Sequence, residues 1–71
     1  MENLSSRLLQ LRLSRGYSKT AVAKAVGVSR RTVYAWEATG KEPTVTNIIQ
    51  LAQFYQVTTD YLLGLTDDLH N

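Results

Sequence analysis

Residues Lys19–Ala38, KTAVAKAVGVSRRTVYAWEA, decide the fold, because they predict two short helices joined by a tight turn. Val22, Ala23 and Val26 recur at helical spacing and give the first segment a narrow apolar stripe. Gly27 follows this stripe, and glycine readily takes the left-handed backbone conformation that ends a helix. The stretch therefore predicts one helix that stops at a glycine and a second helix that begins soon after it.

The second helix presents a polar face that carries two adjacent arginines. Ser29 is placed to cap its start by accepting a hydrogen bond from a backbone amide of the first turn. Val33 and Trp36 lie three residues apart and point inward, so we interpret Trp36 as a core residue and not as a platform for stacking. The positions left outward or on the rim hold Arg30, Arg31, Thr32, Tyr34 and Ala35.

The charged residues are distributed unevenly along the chain. All eight lysines and arginines fall within the first 41 residues, although the net charge of the 71 residues is only +2. The rest of the chain carries four of the six acidic residues and no lysine or arginine. This asymmetry predicts that the N-terminal part attracts a polyanion and that the C-terminal part repels it.

The whole chain predicts an all-α fold of five helices, with no segment typical of a strand. Apolar residues at helical spacing, bounded by capping residues and glycines, place these helices at residues 4–15, within 19–26, within 30–38, after a Thr44 cap up to Tyr55, and after a Thr58 cap up to Leu63. We expect a compact domain over residues 1–66, followed by a short C-terminal tail at 67–71.

The apolar and glycine positions form a specific pattern when they are counted from Lys19. The positions that fit are Val22, Ala23, Val26, Gly27, Val28, Val33 and Trp36. With them the chain resembles the Cro and phage-repressor (lambda-repressor-like) helix-turn-helix family. The resemblance runs from about Leu8 to about Gly64 and includes Leu8–Arg12, Trp36–Glu37, Pro43, Leu51–Ala52 and Asp60–Gly64.

Two positions depart from the pattern of this family. The family commonly opens the motif with a glutamine that bonds a DNA phosphate and braces the recognition helix, where this chain has Lys19. A lysine retains the phosphate contact but not the bracing. The family also tends to place glycine two residues after the glutamate that corresponds to Glu37, where this chain has Thr39 followed by Gly40. The second departure predicts a different end for the recognition helix.

The resemblance implies a sequence-specific transcriptional regulator of a bacterium or phage, such as the repressor of a lysogeny switch. It would insert the third helix into the major groove of double-stranded DNA and bind a near-palindromic operator as a homodimer. We expect base readout from Arg30, Arg31, Tyr34 and Ala35, and phosphate contacts from Lys19, Ser29, Thr32, Thr39 and Lys41. The resemblance also implies a structural ion pair between Arg12 and Glu37. Candidates for the dimer contact, which core packing explains equally well, are Leu62, Leu63, Leu65 and the segment 55–57.

A protein-interaction module is the alternative function, with a toxin or an antirepressor as the partner. Arg30 and Arg31 argue against it, because a protein-binding face shows more apolar anchors. The residues needed for an enzymatic reaction are missing. The chain has no cysteine, and its single histidine, His70, lies near the end, where we expect it to be exposed. We therefore predict no catalytic residue, no cofactor and no metal site. The absence of a long apolar run and of a signal-like start predicts a cytoplasmic, nucleoid-associated protein without a membrane partner.

Overall fold

Five α-helices and one π-helical turn make up the computed structural model, which describes residues 3–70. The helices are α1 (Leu4–Arg15), α2 (Lys19–Val26), α3 (Arg30–Tyr34), α4 (Val45–Tyr55) and α5 (Thr59–Leu62), and the π-turn (Ala35–Thr39) continues α3 without a break. No strand occurs within the described range. The predicted all-α class with five helices is confirmed.

Three of the helix starts are fixed by the capping residues that the sequence predicted. The hydroxyl of Ser29 accepts from the Thr32 amide at 3.1 Å, and the Thr44 and Thr58 hydroxyls accept equivalent bonds at 3.1 and 3.0 Å. Each cap satisfies a backbone donor that has no partner inside its helix. The bounds of α1 and α4 agree with the predicted ones, whereas α5 ends at Leu62, one residue before the predicted end.

One hydrophobic core takes side chains from every helix. Its buried apolar members are Leu8, Leu11, Val22, Ala23, Val26, Val33, Trp36, Leu51, Ala52, Tyr55, Val57 and Leu62. Trp36 is only 2% exposed, so the interpretation of this residue as part of the core is confirmed. Because α2 and α3 are both anchored in this core, the outward face of α3 has a fixed orientation relative to the rest of the domain.

Most of the residues named as candidates for a dimer contact lie inside the core. Leu62, Tyr55 and Val57 are buried, so they cannot contact a second copy, and core packing is the correct explanation for them. Leu63 and Leu65 are 48% and 73% exposed. Of the candidate set, these two leucines and Gln56 are exposed.

The C-terminal segment is held against α1 by a buried arginine. Nη1 of Arg7 donates to the carbonyl oxygens of Tyr61 and Thr66, both at 2.7 Å, and Nη2 pairs with the Asp67 carboxylate. The same guanidinium lies 4.2 Å from the centroid of the Tyr61 ring. Leu69 packs on the core, and its carbonyl accepts from the Thr58 amide at 3.0 Å. Residues 67–70, predicted as a tail, therefore lie on the domain, and Asn71 lies outside the described residues.

The buried phenol of Tyr55 makes the stability of the domain sensitive to alkali. Burial, and after it the negative charge of Glu37, raises the pKa of Tyr55 well above its ordinary value of about 10. Above about pH 10 the unfolded chain ionises this phenol while the folded protein keeps it neutral, so the folded state loses stability as the pH rises. We expect Tyr55→Phe to remove this component of the alkaline loss, as measured by urea unfolding at pH 9, 10 and 11. Tyr34→Phe, at an exposed ring, should retain it. Equal alkaline slopes for the wild type and Tyr55→Phe would contradict the assignment.

Candidate nucleic-acid interface

The turn between α2 and α3 sets the direction in which α3 leaves the core. Gly27 ends α2 with φ at 74°, a left-handed conformation that costs glycine little. The Val28 amide then donates to the Ala23 carbonyl at 3.0 Å, and Ser29 caps the next helix. Val33 is buried on the inner side of α3. The opposite side of α3 consequently faces solvent.

The residues predicted to read bases lie together on this exposed side. Arg30 and Arg31 are exposed, and Tyr34 is 51% exposed one turn later. Ala35 is half-buried, so it offers only part of its methyl group to a partner. Within residues 3–70, neither Arg30 nor Arg31 takes part in an ion pair. The face therefore combines two guanidinium groups with one aromatic ring.

The three arginines of α1 each make an internal bond, but only Arg7 and Arg12 are buried, and Arg15 stays exposed. Arg7 bonds the C-terminal segment and Arg12 pairs with Glu37. Arg15 donates from Nη1 to the Tyr55 carbonyl at 2.6 Å. The cations of the N-terminal part outside α1 are Lys19, Lys24, Arg30, Arg31 and Lys41, all of them exposed except the half-buried Lys19. We call these five residues the basic surface.

The hydroxyl groups predicted to contact phosphates are partly engaged within the protein. Ser29 Oγ and Thr32 Oγ1 lie 2.9 Å apart at the start of α3, where either can donate to the other. One of these two hydroxyls therefore keeps its proton for an outside acceptor. Thr39 Oγ1 donates to the Ala35 carbonyl at 2.8 Å, so its proton is not available to a phosphate. Lys19 is half-buried at the start of α2, and Lys41 is exposed beyond the π-turn.

The π-turn is the structural counterpart of the displaced glycine. Gly40 takes the left-handed conformation with φ at 79°, and its amide donates to the Ala35 carbonyl five residues earlier. A bond over five residues replaces the α-helical bond over four, which widens the last turn. The helix that begins at Arg30 therefore extends through Thr39, and Gly40 ends it.

A buried ion pair fixes this end of the recognition helix to α1. Nε of Arg12 donates to both carboxylate oxygens of Glu37, at 3.1 and 2.9 Å, and Nη1 donates to the Tyr17 carbonyl at 3.1 Å. The side chains of Arg12 and Glu37 are 9% and 4% exposed. This arrangement is the pair that the family resemblance implied, and it holds the π-turn against the core.

Other kinds of site find no support in the described part of the chain. Between residues 3 and 70, no three histidine, cysteine, aspartate or glutamate side chains come together in a group that could hold a metal ion. No helix there has the length and apolarity needed to cross a bilayer. His70 is exposed, as expected.

Comparison with known proteins places the chain among helix-turn-helix proteins. The family model described as helix-turn-helix matches residues 8–62. The uncharacterized HTH-type transcriptional regulator YobD of Bacillus subtilis (strain 168) is 37% identical over 62 residues, which make up 87% of this chain and 55% of that protein. The HTH-type transcriptional regulator ImmR of the same strain is 29% identical over 62 residues, or 87% of this chain and 49% of that protein. The chain spans about half the length of these curated relatives.

A solved protein–DNA complex has the same fold. The P22 c2 repressor protein, crystallised with synthetic operator 9T, superposes with a TM-score of 0.83 at 30% identity. The match covers 89% of this chain and 96% of that one. The predicted likeness to repressor helix-turn-helix domains is confirmed.

Proposed function

This chain belongs to the helix-turn-helix family, and from that premise we propose that it is a transcriptional regulator that binds double-stranded DNA through α3. The observation that carries the proposal is the contrast between its arginines. Arg7 and Arg12 are buried against internal partners, whereas Arg30 and Arg31 stand exposed on the outward face of α3. A guanidinium without an internal partner, on a helix that projects from the core, is suited to bind an edge of a guanine.

The exposed face of α3 contacts the bases. Arg31 and Arg30 each present a planar fork that matches the O6 and N7 acceptors of guanine in the major groove. Tyr34 and the exposed part of Ala35 offer apolar contact to neighbouring bases, such as a thymine methyl group. These residues determine which sequence is bound.

Affinity and register come from phosphate contacts on both sides of α3. Lys19 approaches the backbone from the start of α2, and Lys41 approaches it from the loop after the π-turn. The hydroxyl pair of Ser29 and Thr32 supplies one further donor. Such contacts are indifferent to sequence and weaken as salt concentration rises.

We further propose that two copies bind a near-palindromic operator with half-sites about 34 Å apart, as repressors of this fold do. A single domain with this small face buries too little surface for tight and selective binding. Leu63 and Leu65 are the apolar residues of the predicted dimer contact that are exposed and therefore accessible to a second copy. The P22 c2 repressor in the matched structure is bound to an operator, which favours a repressor of bacterial or phage genes, such as a lysogeny repressor, for this chain as well.

The test is selection from a randomised duplex library by the wild type and by Arg31→Ala, Arg31→Lys and Lys24→Ala at near-physiological salt. We expect the wild type to enrich a two-fold symmetric sequence that contains guanine. Arg31→Ala should lose the preference at one position of each half-site, with a cost of about 1 to 3 kcal/mol on the enriched duplex. Arg31→Lys keeps the charge but loses the fork, so it should lose the same preference.

Lys24→Ala is the matched control, because it removes a cation of the basic surface that has no assigned base contact. It should leave the sequence preference intact. Retention of the guanine preference by Arg31→Ala would refute the role of Arg31 in base readout. No enrichment by the wild type would refute DNA reading and favour a protein partner, such as a toxin or an antirepressor.

A further inference from the structure

Three hydrogen-bond donors converge on one carbonyl oxygen at the end of the recognition helix. The oxygen belongs to Ala35, and the donors are the amides of Gly40 and Lys41 and the hydroxyl of Thr39. The Lys41 bond measures 3.3 Å, and the Thr39 bond is shorter at 2.8 Å. The Thr39 hydroxyl is therefore closer to the Ala35 oxygen than the Lys41 amide is.

This carbonyl joins two parts of the proposed DNA interface. On one side, Ala35 is the last of the four residues proposed to read bases, and it follows the exposed Tyr34. On the other side, Lys41 is exposed on the loop, which lines a shallow cleft with Asn3 and the first two residues of α1. The inner face of the π-turn is fixed in place, because Trp36 is buried in the core and Glu37 is paired with Arg12. The position of Lys41 relative to Arg31 therefore depends on the winding of the π-turn.

The Thr39 hydroxyl favours the π-turn over a regular α-helical turn, because it occupies the carbonyl oxygen of Ala35. In a regular α-helix, the Thr39 amide would donate to the Ala35 carbonyl, four residues earlier. Here the hydroxyl of the same residue takes that acceptor, and the Gly40 amide bonds it one residue later than the α-helical pattern. Hydroxyl bonds of this type compete with the helix backbone and bend helices. Loss of the hydroxyl lets the Thr39 amide compete with the Gly40 and Lys41 amides for this acceptor, which favours a tighter turn.

We propose that Thr39 is a positioning residue for DNA binding, which holds the π-turn so that Lys41 meets a phosphate beside the bases that α3 reads. The inference rests on the proposed function. It replaces the expectation that Thr39 itself contacts a phosphate, since its hydroxyl proton is already given to Ala35. Tightening the turn by one residue would rotate the chain that leads to Lys41 by roughly 100° about the helix axis and so change the position of Lys41 relative to Arg31.

A double-mutant cycle tests whether Thr39 acts through Lys41. The wild type, Thr39→Val, Lys41→Ala and the double variant are titrated against the duplex that the wild type enriches, at several salt concentrations. We expect each single variant to weaken binding by about three- to tenfold and to lower the slope against log salt by about 1, as for one lost phosphate contact. The double variant should bind no more weakly than Lys41→Ala alone. Thr39→Ser keeps the hydroxyl, so it should bind with the affinity and the salt slope of the wild type.

Amide hydrogen exchange of the free protein supplies a readout that does not need DNA. Thr39→Val should speed exchange at Gly40 and Lys41, while the free energy of unfolding stays close to that of the wild type because Thr39 is exposed. Thr39→Ala is the second variant without a hydroxyl and should behave alike. Additive losses in the cycle, or wild-type affinity for Thr39→Val, would overturn the positioning role and leave the proposed function standing. A wild type that selects no sequence would overturn both.

Discussion

Glu37→Gln will lower the free energy of unfolding by about 3 to 5 kcal/mol, because it leaves the Arg12 guanidinium buried without its counter-charge. The side chains of Arg12 and Glu37 are 9% and 4% exposed, so water cannot replace the lost carboxylate. A chain of 71 residues has a total stability of about 4 to 10 kcal/mol. The variant should therefore unfold at much lower urea concentration, as followed by the fluorescence of Trp36, the single tryptophan.

Two further variants separate the buried charge from a general effect of charge loss. Glu42→Gln removes an exposed carboxylate and should change the free energy of unfolding by less than about 0.5 kcal/mol. Arg12→Met combined with Glu37→Met removes both charges and should regain much of the loss, because no unpaired ion remains buried. A loss below about 1 kcal/mol for Glu37→Gln would show that the pair does not secure the π-turn to α1.

Trp36→Ala will destabilise the domain by about 3 to 5 kcal/mol, because it removes a large side chain from a filled core. Trp36 is 2% exposed and lies where the recognition helix meets the rest of the core. Since the variant loses the fluorescent residue, its unfolding is followed by circular dichroism. We expect a marked fall in the urea midpoint.

Tyr34→Ala is the matched control, because Tyr34 is an aromatic residue on the opposite, exposed face of the same helix. Its ring is 51% exposed, so the substitution should cost less than about 1 kcal/mol of stability while it weakens binding to the selected duplex. The reverse pattern would contradict the placement of both residues. A Trp36→Ala variant that folds like the wild type but loses DNA affinity would instead indicate that Trp36 stacks on a base.

Local signals in the sequence were sufficient to predict the helices. The repeat of Leu4, Leu8 and Leu11 and the following Gly16 place α1 correctly, because spacing and helix ends depend on neighbouring residues alone. The Thr44 and Thr58 caps are local in the same way. Trp36 could be assigned to the core because its spacing from Val33 fixes its direction on the helix.

The contacts that the sequence did not predict are long-range bonds to backbone carbonyls. Arg7 and Arg15 bond carbonyl oxygens that are 40 to 59 residues away, and a carbonyl leaves no signature in the amino-acid sequence. Residues 65–70 lack helical spacing, so nothing local indicated that Leu69 packs on the core. The π-turn had one local sign, the displaced Gly40, but a displaced glycine does not specify the winding. The base and phosphate contacts stay predictions.

Because Arg7 and Arg12 are buried against partners inside the protein, we expect ionic strength to change the affinity for DNA more than the stability of the fold. Electrostatic contacts across a wet interface fade as the screening length falls from about 10 Å at 0.1 M salt to about 3 Å at 1 M, whereas buried pairs are screened much less. The basic surface is exposed apart from the half-buried Lys19, but Arg7 and Arg12 are 3% and 7% exposed. A concentrated salt solution would therefore release the protein from nucleic acid without melting it, and dilution would return the same folded molecules to their binding site.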